Sequence, residues 1–422
     1  MTVSAQASGF RWLVLIAAVL GYICLQVDNL SITPVLPQVA ASLNIDLGTA
    51  TNLAMTTFLF AAFLVLLLLG GVVCDKLGVI TGIMIGALCA AVPMALMPWI
   101  GHSGAGLAVA RFVEGSAAGF LFPAMGPIIG LWFPDHQKGL AGGLMSASVA
   151  VGSAAGVLLG PAVLAHVSSW QAMNAVLSIF GWVTFGFALL LFLLPKPALA
   201  AHGGPDPATV KRALVSRLTF FGALVAFMAN WGMQCLYSLT PTYLAADKPV
   251  GAGYGDMTSA QLMLGVTLLA GIVGPLIGGL LLDKVFMGNT KPVFLMGFAF
   301  MCIFVYLLTF PAIISNVPLL EVVLILAGFG PQFTIFSIYY FIARSFAPQV
   351  VGITTGVWQG VGTFGGAVGL FLAGVTIKSQ HSYHATLILQ SLAALAGFVL
   401  VFAMLAAYRA QLQKPELQKQ KS

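Results

Sequence analysis

Gly71-Val72-Val73-Cys74-Asp75-Lys76-Leu77-Gly78 closes one long apolar segment, and 208 positions further on Gly279-Leu280-Leu281-Leu282-Asp283-Lys284 closes another. In both, a glycine stands four residues ahead of an Asp-Lys pair, after a stretch without charge. The stretch before the first copy, Phe58 to Leu69, is apolar at every position, so it cannot be the alternating strand of a membrane β-barrel and reads as a helix. Two further echoes lie in the same order along the chain. Ser31-Ile32-Thr33-Pro34 recurs as Ser238-Leu239-Thr240-Pro241, and Phe133-Pro134 with Gly139 and Gly143 recurs as Ala347-Pro348 with Gly352 and Gly356. An ordered repeat over several helices predicts two six-helix halves with a solute site at their interface near the bilayer midplane. A channel or a receptor has no need of it.

The rest of the chain agrees. Of its 422 residues 60% are hydrophobic and 7% are charged. A water-facing surface needs about a quarter of its residues charged, so a soluble domain is excluded. Hydropathy breaks predict spans over 11–36, 48–73, 79–99, 104–131, 139–162, 170–194, 216–243, 258–282, 291–312, 317–342, 351–376 and 384–408, each long enough to cross about 30 Å of hydrocarbon. The predicted fold is an all-α membrane protein of twelve transmembrane helices in two six-helix pseudo-repeats. Its expected divisions are an N-terminal half over 1–194, a cytoplasmic linker over 195–215, a C-terminal half over 216–408 and a frayed cytoplasmic tail over 409–422. The first apolar stretch has no small-residue cleavage site and is read as a retained helix. Of the 17 basic residues, all but Arg111, Lys248 and Lys378 fall on the side that holds both termini, which makes that side cytoplasmic and explains the net charge of +6 without nucleic acid. Cys24, Cys74, Cys89, Cys235 and Cys302 lack metal or disulfide spacing and are expected to be free thiols.

Gly71-x-x-x-Asp75-Lys76-x-Gly78 and its partial copy at Gly279, Asp283 and Lys284 resemble the loop signature of the major facilitator superfamily, with Val79 and Ile80 where basic residues are usual. The resemblance covers essentially the whole chain. It implies a multi-pass plasma (inner) membrane transporter working by alternating access. Gly71, Asp75, Lys76, Gly78, Asp283 and Lys284 would form a conformational latch, since an Asp at a helix C-terminus opposes the helix dipole and needs a partner made in one state and broken in another. The alternative is that Asp-Lys merely ends each helix in water. Asp28-Asn29-Leu30-Ser31 with Pro34 and Pro37, and Arg111-Phe112-x-Glu114-Gly115, are similar to motifs shared by anion/cation symporters and drug/proton antiporters. Pro123 to Trp132-Phe133-Pro134 resembles the symporters, and Gly156-x-x-x-Gly160-Pro161 the antiporters.

Three ionisable side chains fall well inside predicted spans: Asp28, Arg111 and Glu114. A charge at a helix centre costs at least about 2.5 kcal/mol, so each is a candidate for function. At 1.5 Å per residue, Asp28 and Glu114 are expected at similar depth, and Arg111 shares a helix face with Glu114 at i, i+3. Asp28 or Glu114 is expected to carry a proton, with Arg111 pairing alternately with the carboxylates and an anionic substrate. The competing reading is a static Arg111–Glu114 pair. The second half offers neutral donors and aromatic walls suited to a small organic solute: Asn230, Trp231, Gln234 and Tyr237, then Gln332 and Tyr339, then Trp358 and Gln359. For any one of these, interhelical hydrogen bonding is an equal alternative.

Gly360-Val361-Gly362-Thr363-Phe364-Gly365 fits a dinucleotide fingerprint but lies in an apolar span, so it reads as helix packing. His381-x-x-His384 lacks a third ligand and reads as polar surface. The expected function is proton-coupled transport of a small organic solute, with a carboxylate favoured by Arg111. A drug/proton antiporter is the alternative in the same class; a channel and a membrane enzyme are the alternatives outside it. The proton gradient replaces any cofactor. The expected partners are the substrate and the lipid bilayer, and the chain is read as a monomer.

Overall fold

The computed structural model describes residues 5–124, 127–194, 207–346 and 350–419. Among them twelve helices are long and apolar enough to cross a membrane: spans 1 to 12 are Gly9–Ser31, Leu47–Val65, Val79–Ile100, Gly104–Ala124, Leu140–Leu164, Trp170–Leu193, Arg217–Ala245, Asp256–Leu280, Thr290–Leu307, Val317–Ser345, Ile353–Gln380 and His384–Gln411. No strand occurs among the described residues. All five cysteines are free thiols.

Several boundaries differ from the sequence reading; spans 2, 4 and 9 end at Val65, Ala124 and Leu307, ahead of the expected 73, 131 and 312. The helix of span 1 ends at Ser31, because Pro34 disfavours helical geometry at the residue before it. There the Thr33 hydroxyl donates to the Leu30 carbonyl at 2.8 Å, and a new helix starts at Leu36. Within the expected linker, Pro207–Leu214 is helical, while 195–206 lies outside the described residues. The expected fraying from 409 onward is also corrected: the last helix runs His384–Lys419, since its Gln, Leu, Lys and Glu residues favour helix.

Both segments that carry the Gly-x-x-x-Asp-Lys repeat contain π-helical turns, at Asn52–Thr56 and Leu66–Gly70 in the first, and at Val266–Val273 and Leu281–Val285 in the second. At the first of these the Thr57 hydroxyl donates to the Asn52 carbonyl five residues back, at 3.2 Å. Such wide turns concentrate where helices bend or carry function.

The chain forms two compact units. The first comprises Met1–His202, Tyr237–Leu268 and Leu370–Tyr383. In it, span 5 lies on span 1 through small residues. A Cβ on Gly160 would sit 2.1 Å from the Ser31 carbonyl oxygen, and one on Gly156 would sit 2.7 Å from that of Gln26. Gly160→Ala is expected to cost about 1 to 3 kcal/mol by overpacking, read as a lower melting midpoint in detergent. Gly186→Ala meets nothing within 4 Å and should leave the midpoint unchanged. The second unit comprises Gly203–Leu236, Leu269–Gly369 and His384–Ser422. Span 9 packs there between spans 10 and 12, around a core that includes Phe294, Phe298, Phe341 and Trp358. Two of the three glycines of the apparent dinucleotide motif serve packing, while Gly360 meets nothing within 4 Å. Cβ atoms at Gly362 and Gly365 would strike the Asn230 amide and the Phe227 carbonyl of span 7, at 2.4 and 2.3 Å.

Candidate functional site

The first unit brings Asp28, Arg111 and Glu114 together, each without solvent exposure. Glycine makes this possible, because a Cβ at Gly115 would lie 2.0 Å from the Phe58 carbonyl oxygen. Its absence lets span 4 press against span 2, and Arg111 then reaches two elements at once. Its Nε donates to the Ala54 carbonyl at 2.7 Å, and its guanidinium carbon lies 4.5 Å from the centre of the Phe58 ring. Nη1 donates to Glu114 Oε2 at 2.8 Å, Asp28 Oδ1 at 3.1 Å and the Asp28 carbonyl at 3.2 Å. Nη2 has only a long contact, 3.5 Å, to the Asn29 carbonyl.

Two carboxyl groups therefore share one guanidinium in a buried site, and fully ionised they would leave one net negative charge there. Such a charge is costly unless it is neutralised. Asp28 Oδ2 and Glu114 Oε1 are buried without a hydrogen-bond partner. A proton on either carboxyl would remove that excess charge. Phe58 and the Ala54 and Asn29 carbonyls escaped the sequence reading, since a ring and backbone oxygens leave no polar signal inside an apolar run.

In the second unit, Asn230 donates to its own helix at the Ala226 carbonyl, 3.0 Å away. Trp231 packs on Gly369 of span 11, and Gln234 is partly buried. Tyr339 is exposed, Gln359 is partly buried, and Gln332 lies against Gly274. Trp358 sits wholly inside the apolar core, 6.3 Å from Phe341 and from Phe346 between ring centres. Such a position makes it a packing residue in this conformation. Tyr237 belongs to the first unit and is buried.

Of the latch residues, Lys76 and Lys284 are exposed, and Gly78 ends its helix at φ +89°, where a side chain would be strained. The Asp75 and Asp283 side chains, and the surroundings of Gly71, lie outside the described residues. Val79 and Ile80 are buried at the start of span 3, so apolar packing occupies the positions where the resemblance has basic residues.

The end of the first unit where spans 1, 7 and 11 finish carries a second polar cluster. The Thr242 hydroxyl donates to the Thr33 carbonyl at 2.6 Å, so the first Ser-x-Thr-Pro copy meets the residue that follows the second. Gln38 donates to Asp256. Asp46 caps span 2, accepting from the Thr49 backbone N–H at 2.8 Å and hydroxyl at 2.6 Å, and Lys378 of span 11 stands 3.7 Å from its carboxylate. Partial burial pushes the Asp46 carboxyl up, but the Thr49 hydrogen bonds and Lys378 outweigh it and hold the group below the usual aspartate range. Its stabilisation is therefore complete above the ordinary aspartate range and is lost only as pH falls through the lowered value. Asp46→Ala should lower the melting midpoint by about two degrees at pH 7, for a cap worth about 1 kcal/mol. That difference should close in a pH series carried below the usual carboxylate range.

The chain is 26% identical to the probable sulfoacetate transporter SauU of Cupriavidus necator, over 72% of this chain and 74% of that protein. It is 23% identical to the probable galactarate/D-glucarate transporter GarP of Escherichia coli K12, over 76% and 77% of the two chains. It is also 23% identical to the probable anion transporter 5 of Arabidopsis thaliana, over 65% and 67%. The family model described as Major Facilitator Superfamily matches residues 18–284 and 248–422. With twelve apolar helices, a buried ion cluster in span 4 and a family match along nearly its full length, the chain belongs to the Major Facilitator Superfamily as a multi-pass membrane transporter and not an enzyme.

Proposed function

We propose that this transporter moves a small organic anion together with a proton, by alternating access between two half-repeats. The observation that carries the reading is the buried sharing of Arg111 by Asp28 and Glu114. Arg111 lies closer to the Glu114 carboxylate than to that of Asp28, which favours Asp28 as the carboxyl proposed to hold the proton. An arriving anion competes for Arg111 through Nη2, the nitrogen with the weakest present contact, and frees a carboxylate to exchange its proton. Guanidinium is suited to this because its planar fork matches a carboxylate or sulfonate in two-point contact. The relatives' names support an organic anion, since sulfoacetate, galactarate and glucarate all belong to that class.

Asn230, Gln234 and Tyr237, at i, i+4 and i+7 on span 7, are proposed to orient the solute with Gln332, Tyr339 and Gln359. The contacts among the ends of spans 1, 2, 7, 8 and 11 are proposed to close one end of the transport path in this state. Asp75-Lys76 and Asp283-Lys284 are proposed to act at the opposite end.

The test is uptake by proteoliposomes holding the purified chain, with carboxylates and sulfonates as solutes. Saturable uptake, counterflow, and acceleration by a pH gradient acid on the substrate side are expected. Uptake without saturation or counterflow would mark a channel. A thermal-shift screen that selected lipophilic cations over anions would redirect the reading to a drug/proton antiporter.

A further inference from the structure

At the end of the second unit where the chain terminates, spans 9, 10 and 12 enclose a cavity of about 310 Å³. Lys291, Arg344 and Arg409 line it, with Tyr408 and the Gly288–Thr290 turn completing the wall. Among the described residues none of the three cations has a carboxylate within ion-pair distance. Arg344 is held in place: its Nη1 donates to the Gly288 carbonyl at 3.1 Å and to the Tyr340 hydroxyl at 3.4 Å. Glycine at 288 is part of that arrangement, since a Cβ there would strike Nη1 at 2.0 Å. Nε and Nη2 make no hydrogen bond to a described residue and remain able to donate.

The cavity borders an apolar surface. The Lys291 ammonium lies 4.8 Å from the centre of the Phe402 ring, and that ring is exposed on the outer face of span 12. Met287 and Val285, on the turn leading to span 9, are 87% and 59% exposed. Apolar tips standing out beside unpaired cations suit a bilayer interface, where the tips enter the acyl region and the cations stay at headgroup depth.

We propose that this cavity binds the phosphate of an anionic phospholipid headgroup. Three cations converge without a protein counterion, so the ligand is an anion. The apolar surface around Phe402 has a use for an acyl chain and none for a free ion, so the source is a lipid. The site is separate from the Asp28–Arg111–Glu114 cluster and does not depend on the proposed coupling.

The experiment is native mass spectrometry and thermal shift on the full purified chain in detergent. Three additions are compared: phosphatidylglycerol, phosphatidylcholine and inorganic phosphate. The wild type is expected to retain phosphatidylglycerol in preference to phosphatidylcholine, to gain melting temperature from it, and to lose that gain at high salt. Each cation removed should weaken binding about fivefold, so Arg344→Gln with Arg409→Gln should lose about 25-fold. Lys291→Gln with Arg409→Gln leaves the Arg344–Gly288 contact in place and should lose as much, which separates binding from folding. Equal phosphatidylglycerol binding by wild type and both double variants would overturn the proposal. So would inorganic phosphate binding at the same residues without lipid retention.

Discussion

Arg111→Ala is expected to abolish uptake, by at least 100-fold, and to lower the melting midpoint more than any other single substitution considered. Removing the guanidinium leaves two carboxyl groups buried without their cation, and breaking a buried pair from one side costs about 3 to 5 kcal/mol. Loss of fold alone would also give that result, so the deciding variant is Arg111→Lys. Lysine keeps the charge but is a compact point donor; it cannot reach Ala54, both carboxyl groups and an incoming anion at once. The protein should stay folded, with KM for the anion raised more than tenfold and kcat less affected. An unchanged KM in proteoliposome uptake would remove Arg111 from substrate binding.

Asp28→Asn should separate exchange from accumulation. Asparagine resembles a protonated carboxyl in shape and its Oδ1 can still accept from Arg111, so the cluster keeps that hydrogen bond and loses its excess negative charge. Folding should be retained, with a melting midpoint at least equal to wild type. Concentrative uptake driven by a pH gradient should fall at least tenfold, whereas counterflow, which needs no net proton movement, should persist. Glu114→Gln tests the other carboxyl in the same assay. If both variants accumulate solute as the wild type does, the cluster is a static pair that holds span 4 against spans 1 and 2.

Much of this site was legible in the sequence, for one physical reason. Charge is so costly in hydrocarbon that three ionisable residues inside spans stand out against an apolar background. The i, i+3 spacing also joined Arg111 to Glu114, because it depends on a single helix. The link from Arg111 to Asp28 spans 83 positions and needed the tertiary fold. For Trp358 the sequence offered a binding wall or an interhelical hydrogen bond, and its place in the apolar core against Phe341 and Phe346 came only from the tertiary structure. The Asp46 cap was readable in Asp46-Leu47-Gly48-Thr49, but nothing local could pair it with Lys378, 332 positions away.

The sequence by itself determined that the chain crosses a membrane twelve times, and it marked where the membrane-buried charges lie. Both follow from local hydrophobicity, since each helix satisfies its own backbone and needs no neighbour to be recognised. The tertiary structure decided which of those charges share a partner, which glycines let helices touch, and which cations line one cavity. These depend on contacts between helices, and in hydrocarbon such contacts are selected by close packing and polar pairing, which leave little periodic trace in any one segment.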